Sequence, residues 1–204
     1  MALLRLWQSN RLERTYADLL ASRRYGPACR FFLDNIYAPR DFSQRDHDIE
    51  YLYGVMSHFL PDFLLALVRN VVEINNLSNE LDQALLRALV EDLGVKDTIT
   101  EELYAEGYLI CDNYDERARQ IELLVKIGHE VDISTHLPLV GTTLRLARAP
   151  ARRTGWGDLQ DFLERGFNAF KHMHGAHEFL DTIYEREMKI LDRIFEGMKE
   201  PFEI

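Results

Sequence analysis

Three histidines close together are the residues of this chain best suited to chemistry. His172, His174 and His177 stand in a His-x-His-x-x-His string, and neutral imidazoles at short spacing are common ligands for zinc and related divalent metals. On an unbroken helix the string fails as a site. His174 and His177 share a face, but His172 lies about 160° round from His174 by the helix period. A metal-dependent enzyme built on these residues therefore requires a break at Gly175. A carboxylate-bridged di-metal bundle requires Glu three residues before a histidine on facing helices. The residues three before the seven histidines are Gln44, Val55, Lys126, Ile133, Ala169, Lys171 and His174, and none is Glu.

His129 is the second candidate. It sits in an apolar-periodic stretch, Leu123-Leu-Val-Lys-Ile-Gly-His-Glu130, where a helix-borne imidazole suits the proximal position of a haem. The Ile127-Gly128-His129 string is similar to the proximal-histidine region of sensor globins. The spacing to Pro138 and the number of preceding helices depart from the globin pattern.

The third candidate is a set of charges that an interior space would make useful. Arg117, Ile121, Leu124, Gly128 and Asp132 trace one approximate helix stripe, and a carboxylate on an apolar stripe needs a cation. Arg45, Arg165 and Arg186 are the cations proposed for Asp132. Arg45 has Asp41 four residues before it and Asp48 three after, so opposite charges share a helix face. With Asp46 these residues define a polar cluster of Asp41, Arg45, Asp46, Asp132 and Arg165. It is a pocket if they face an interior polar space and a structural ion-pair corner otherwise. Exposed pairs of this kind are worth only ~0.3–0.5 kcal/mol each.

Other catalytic signals are missing. The chain has no Gly-x-x-x-x-Gly-Lys-Ser/Thr loop and no Gly-x-Ser-x-Gly elbow, so neither a phosphate cradle nor a nucleophile turn is indicated. Cys111 beside Asp112 has no adjacent base to activate its thiol. Two cysteines without a Cys-x-x-Cys predict reduced thiols and a cytoplasmic location.

These residues need a scaffold, and composition says which kind. The 204 residues, 47% hydrophobic and 28% charged, suit one folded domain over 1–204 with a real core. A net charge of −10 argues against nucleic acid, which requires clustered Lys and Arg. The charge is uneven: residues 1–30 carry six arginines against Glu13 and Asp18, and Arg145, Arg148, Arg152 and Arg153 form a second basic run. No run approaches the ~20 apolar residues of a transmembrane helix.

Helical periodicity dominates, and no stretch alternates like a strand. The pattern predicts helices over 3–23, 27–37, 41–59 (capped by Asp41) and from Pro61 to about 76. Ser78 caps the next, which ends at Gly94. Thr98-Ile-Thr-Glu101 is a capping box for a helix over 99–111, and Asn113 opens one to about 135. Pro138 starts a short helix that Pro150 ends. The final segment, 158–196, is strongly two-faced, with room for a break at Gly175, and Gly197 closes it. The expectation is an all-α, single-domain bundle of eight to ten helices with a long C-terminal helix.

Three stretches together carry a resemblance. They are Phe31-Phe-Leu-Asp-Asn-Ile-Tyr-Ala-Pro-Arg-Asp-Phe-Ser-Gln-Arg-Asp46, Glu116-Arg-Ala-Arg-Gln-Ile-Glu122, and the paired Leu159-Gln-Asp-Phe-Leu-Glu-Arg-Gly-Phe167 and Glu178-Phe-Leu-Asp-Thr-Ile-Tyr-Glu-Arg-Glu187. The chain resembles an uncharacterised proteobacterial family of all-helical proteins. That resemblance implies a bacterial helical domain and carries no activity with it. The histidine string is no part of the resembling pattern. The sequence thus points first to a non-enzymatic helical protein that self-associates or binds a protein partner. Its alternative is a ligand- or haem-binding protein with a pocket between helices, and a third reading is a metal-dependent enzyme on His172, His174 and His177.

Overall fold

The computed structural model describes residues 1–36, 62–153 and 155–204. Among them are nine α-helices, one π-helical turn and no strand, so the fold is all-α. The predicted helix over 41–59 lies outside the described residues.

The first predicted helix is two. α1 (Ala2–Thr15) and α2 (Ala17–Ala21) meet at Tyr16, whose backbone leaves the helical region at φ −113° and ψ 23°. α3 (Gly26–Asn35) follows, with Pro27 in its first turn, where a missing N–H costs nothing. α4 (Asp62–Arg87) corrects the sequence reading most clearly. The pattern placed a helix end near Asn75 and a new cap at Ser78, yet the helix runs straight through. Ser78 Oγ instead accepts a 2.8 Å hydrogen bond from Gln120 Nε2, so packing against another helix outweighs local capping preference.

A π-helical turn, Ala88–Asp92, extends α4. Gly94, at φ +66°, then turns the chain, as its left-handed position requires. α5 (Glu101–Cys111) is capped by Thr100, whose Oγ1 accepts from the Leu103 N–H. The predicted capping box had assigned that role to Thr98. α6 (Tyr114–His136) begins where expected, although Asn113 makes no side-chain cap. α7 (Val140–Arg153) continues through Pro150, which the sequence reading took as its end. The proline removes the hydrogen bond to the Leu146 carbonyl, and Leu146 is 74% exposed, so water reaches that turn.

The C-terminal segment is two helices, α8 (Gly157–Met173) and α9 (His177–Phe195). They are parted by His174 at φ 54° and Gly175 at φ 114°. The last helix has 19 residues and is shorter than the 26-residue α4.

α6 is the central strut. α9 and α4 both pack along it, while α7 and α8 form a hairpin and α3 lies on α8. Apolar side chains gather in two clusters. Leu12, Leu19, Ala28, Phe170, Met173, Phe179 and Leu180 belong to one. Leu4, Leu85, Leu89, Tyr104, Ile190, Ile194 and Phe202 belong to the other. The aromatic pair of α3 is partly buried and packs against the first cluster: Phe31 meets Phe162, and Phe32 meets Phe170 and Phe179.

Candidate functional site

Two helices thread both apolar clusters, and each changes character where it passes between them. α1 supplies Leu4 to one cluster and Leu12 to the other. Between these, on the same face by the three-and-four spacing, stand Gln8 and Arg11, each only 9% exposed. α9 supplies Phe179, Leu180 and Ile183 to one cluster and Ile190 and Ile194 to the other. Glu187 lies between. The result is a polar belt inside the molecule.

The belt is an ordered network. Arg11 Nη1 donates to Glu187 Oε1 at 2.5 Å, and the Tyr16 hydroxyl donates to the same oxygen at 2.7 Å. Gln8 Nε2 donates to Asp82 Oδ1 at 3.1 Å and reaches the Tyr104 hydroxyl at 3.5 Å. Tyr104 and Tyr108 share a 3.1 Å hydroxyl contact. Arg117, on α6, donates from Nη1 to Gln120 Oε1 at 3.2 Å and from Nη2 to the Leu81 carbonyl at 3.0 Å. Its guanidinium also lies 4.5 Å from the Tyr108 ring centroid, a cation–π placement. Its closest carboxylate oxygen, Asp82 Oδ1, is 3.9 Å away. Both Arg11 Nε and Arg117 Nε are buried without a hydrogen-bond partner.

Electrostatics follow from this geometry. Burial opposes the charge on Arg11, but the Glu187 carboxylate outweighs it and holds the guanidinium above the usual arginine value. Burial likewise opposes the Arg117 charge, and Tyr108, Tyr104 and Asp82 together keep it protonated. Burial pushes the Asp82 carboxyl up, against the pull of Arg117 and Gln8. Tyr104, under Trp7 at a ring separation of 3.8 Å, is pushed well above the ordinary phenol value by burial.

This belt forms one end of a cavity of about 1180 Å³ between the helices, somewhat larger than the ~300–1,000 Å³ of typical ligand pockets. The cavity follows α4 from Asp82 back to Leu67, fifteen helical steps or about 22 Å. Away from the belt its described walls are mainly apolar: Leu67, Val71, Leu124, Val131, Leu144 and Phe162 are representative, with Asn75, Ser134 and Thr143 among them. Every charged residue among its described lining, namely Arg5, Arg11, Asp82, Arg117 and Glu187, stands at or beside the belt.

The residues singled out from sequence fall elsewhere. Asp41, Arg45 and Asp46 lie outside the described residues. Asp132 does not line the cavity, and its buried Oδ1 has no hydrogen-bond partner. Arg165 is exposed and donates from Nε to the Asp161 carbonyl at 3.2 Å. Arg186, another of the cations named for Asp132, is held by Asp18 through two 2.7 Å hydrogen bonds. The structure therefore brings no arginine of the described residues to Asp132.

The histidines do not meet on a metal either. His172 Nε2 donates to the Arg23 carbonyl at 3.0 Å. His174 is the left-handed cap of α8. His177 Nδ1 lies 2.5 Å from Asp181 Oδ2. Among the described residues no group of three or more His, Cys, Asp or Glu is placed to hold a metal ion. His129 packs edge-on against His177 at 5.6 Å and is absent from the cavity lining, as is every other described histidine.

A signal for the belt was present in the sequence. Gln8 and Arg11 interrupt the apolar face that carries Leu4 and Leu12, and Glu187 interrupts that of α9. Arg117 begins the stripe that was read for Asp132. It is that stripe's other charged end, only 4% exposed, that the fold uses.

A family model, described as a domain of unknown function (DUF8198), matches residues 1–201. The chain belongs to this family. The matched residues include those of this chain that form the belt and the apolar walls. No curated protein and no solved structure matches the chain.

Proposed function

We propose that this chain is a binding protein that takes an elongated, mainly apolar small molecule into the cavity between its helices. The observation that supports this is the cavity itself: about 1180 Å³, mainly apolar, with every charged residue of its described lining towards one end. Protein interiors ordinarily pack at crystal-like density, so a space of this size along the central strut supports a binding role. No described histidine lies on the cavity wall, which favours an organic ligand over haem, and the described belt residues include no nucleophile paired with a base, which favours binding over catalysis.

The test is titration with N-phenyl-1-naphthylamine, a neutral apolar fluorophore. Saturable binding of one molecule per chain is expected, with loss on Leu124→Trp, which fills the wall. No binding to the wild-type chain, after organic extraction has emptied it, would sink the reading.

Self-association is the second reading. Ile133, Leu139 and Leu146 are 62%, 73% and 74% exposed where α6 turns into α7. Single apolar side chains are ordinary on a surface, whereas a run of large ones suggests a covered face. Light scattering coupled to size exclusion decides it, and a strict monomer at high micromolar concentration removes it.

A further inference from the structure

Arg11 and Arg117 look alike by burial and differ in what they touch. Arg11 has a carboxylate at 2.5 Å, a complete ion pair. Arg117 gives its two Nη donors to neutral acceptors, the Gln120 amide and the Leu81 carbonyl. Its one nearby carboxylate stands at 3.9 Å, beyond hydrogen-bonding reach, and is bonded instead by Gln8 at 3.1 Å. Burial raises the Asp82 pKa, which weakens it further as a counterion. Arg117 Nε, on a side chain 5% exposed, has no acceptor at all. A buried N–H without a partner is costly, and a charge-assisted one more so. Asp82 is thus the one described carboxylate near Arg117, and no described group accepts from its Nε.

The other end of the cavity has the opposite chemistry. Along α4 the lining from Leu67 to Ile74, about 10 Å, is apolar before Asn75, Ser78 and Asn79 lead towards the belt, and the facing turns of α6, α7 and α8 present mainly apolar side chains with no charge among those described. An anionic head at Arg117 thus leads to a tail that meets mainly apolar side chains. Each buried methylene of such a tail contributes favourably and about equally, so affinity grows with chain length until the wall ends.

Resting on the cavity reading above, we infer that the ligand is a single-chain amphiphile with an anionic head. Its carboxylate is held by Arg117 and its aliphatic tail runs along α4 and α6 towards the α7–α8 hairpin. Gln8 and the Tyr104 hydroxyl border the head. The Trp7, Tyr104 and Phe202 rings, in mutual stacked and edge contact, wall off the region behind it and limit its size.

The experiment uses the full chain after organic extraction, titrated with hexadecanoate, hexadecan-1-ol and octanoate by displacement of N-phenyl-1-naphthylamine. Hexadecanoate is expected to bind about tenfold or more tightly than hexadecan-1-ol, as a charge-assisted contact warrants, and more tightly than octanoate. Arg117→Gln should erase the preference for the acid over the alcohol. Ala147→Trp, on the far wall, should weaken hexadecanoate and leave octanoate unchanged. Equal binding of acid and alcohol to the wild-type chain overturns the anionic head while the cavity reading stands. That comparison requires no variant to fold. Retention of the acid preference in Arg117→Gln overturns the assignment to Arg117. Failure of the fluorophore itself to bind overturns the cavity reading and this inference together.

Discussion

Arg11 Nη1 and Glu187 Oε1 stand 2.5 Å apart although 176 positions separate them in the chain. The pair joins the first helix to the last across the interior, and Tyr16 adds a hydroxyl donor to the same oxygen. A buried pair of this kind offsets its own desolvation only when both partners are present. Removing one partner should therefore cost far more than removing both. Arg11→Met or Glu187→Met alone is expected to destabilise by ~3–5 kcal/mol. The double variant Arg11→Met/Glu187→Met should recover most of that loss. Urea denaturation of the four proteins gives the coupling directly. Additive losses would show that the two side chains do not act as a pair.

Asp18 and Arg186 make the surface counterpart of that contact. Both carboxylate oxygens accept from the guanidinium at 2.7 Å, and Arg186 Nη1 also donates to the Thr15 carbonyl at 2.8 Å. The hydrogen bonds from Arg186 hold the Asp18 carboxyl down to about 2, below the ~3.9 of an unfolded aspartate. The ionised form thus favours the folded state. Its contribution is complete above pH ~4 and disappears as pH falls towards about 2, and solvent exposure keeps it modest. Urea midpoints measured from pH 7 to pH 2 should fall less steeply for Asp18→Asn than for the wild type below pH ~4. Parallel acid limbs would remove Asp18 as a source of acid sensitivity.

The residues that were legible in the sequence are those whose neighbours in the chain decide their role. Pro27 and Gly94 mark a helix start and a turn because proline geometry and positive φ are local properties. The all-α class followed from periodicity for the same reason. Ser78 and Pro150 were misread because tertiary contacts and solvent access override local preference there. The belt needed the fold itself. Gln8, Arg11, Asp82, Arg117 and Glu187 come from four helices, and no spacing in the sequence relates them. What the sequence did show was that a charge interrupts each apolar face, and Arg117 on its stripe was the plainest instance. Asp132, on the same stripe, drew attention by the same rule, yet it stands outside the cavity.

Cys29 and Cys111 offer a check on how tightly the first apolar cluster closes. Burial pushes the Cys29 thiol up to about 11, and only the thiolate reacts readily. Cys111 is half-buried and also raised by burial. At pH 8 a disulfide reagent should modify Cys111 first, with Cys29 reacting only as the structure opens. In Cys111→Ser the fast phase should vanish, and the remaining rate should rise with urea. Rapid modification of Cys29 in native Cys111→Ser would show that the cluster around α3 is open.

Gly128 tests the contact between the central strut and the last helix. A Cβ placed there would run into the Leu180 side chain, which is itself 1% exposed. Alanine is the better helix former by up to ~1 kcal/mol, so an unconstrained site would be stabilised by Gly128→Ala. Here α9 must move away from α6 or Leu180 must leave its packed position, and overpacking of this kind costs ~1–3 kcal/mol. The net expectation is destabilisation. Leu180→Ala alone should cost ~2–5 kcal/mol by leaving a cavity. In that background Gly128→Ala meets no obstruction, so its effect should change sign and become stabilising. Thermal or urea denaturation of the two single variants and the double variant measures that reversal. A destabilising Gly128→Ala in both backgrounds would place the constraint in the helix backbone and not in the close approach of α9 to α6.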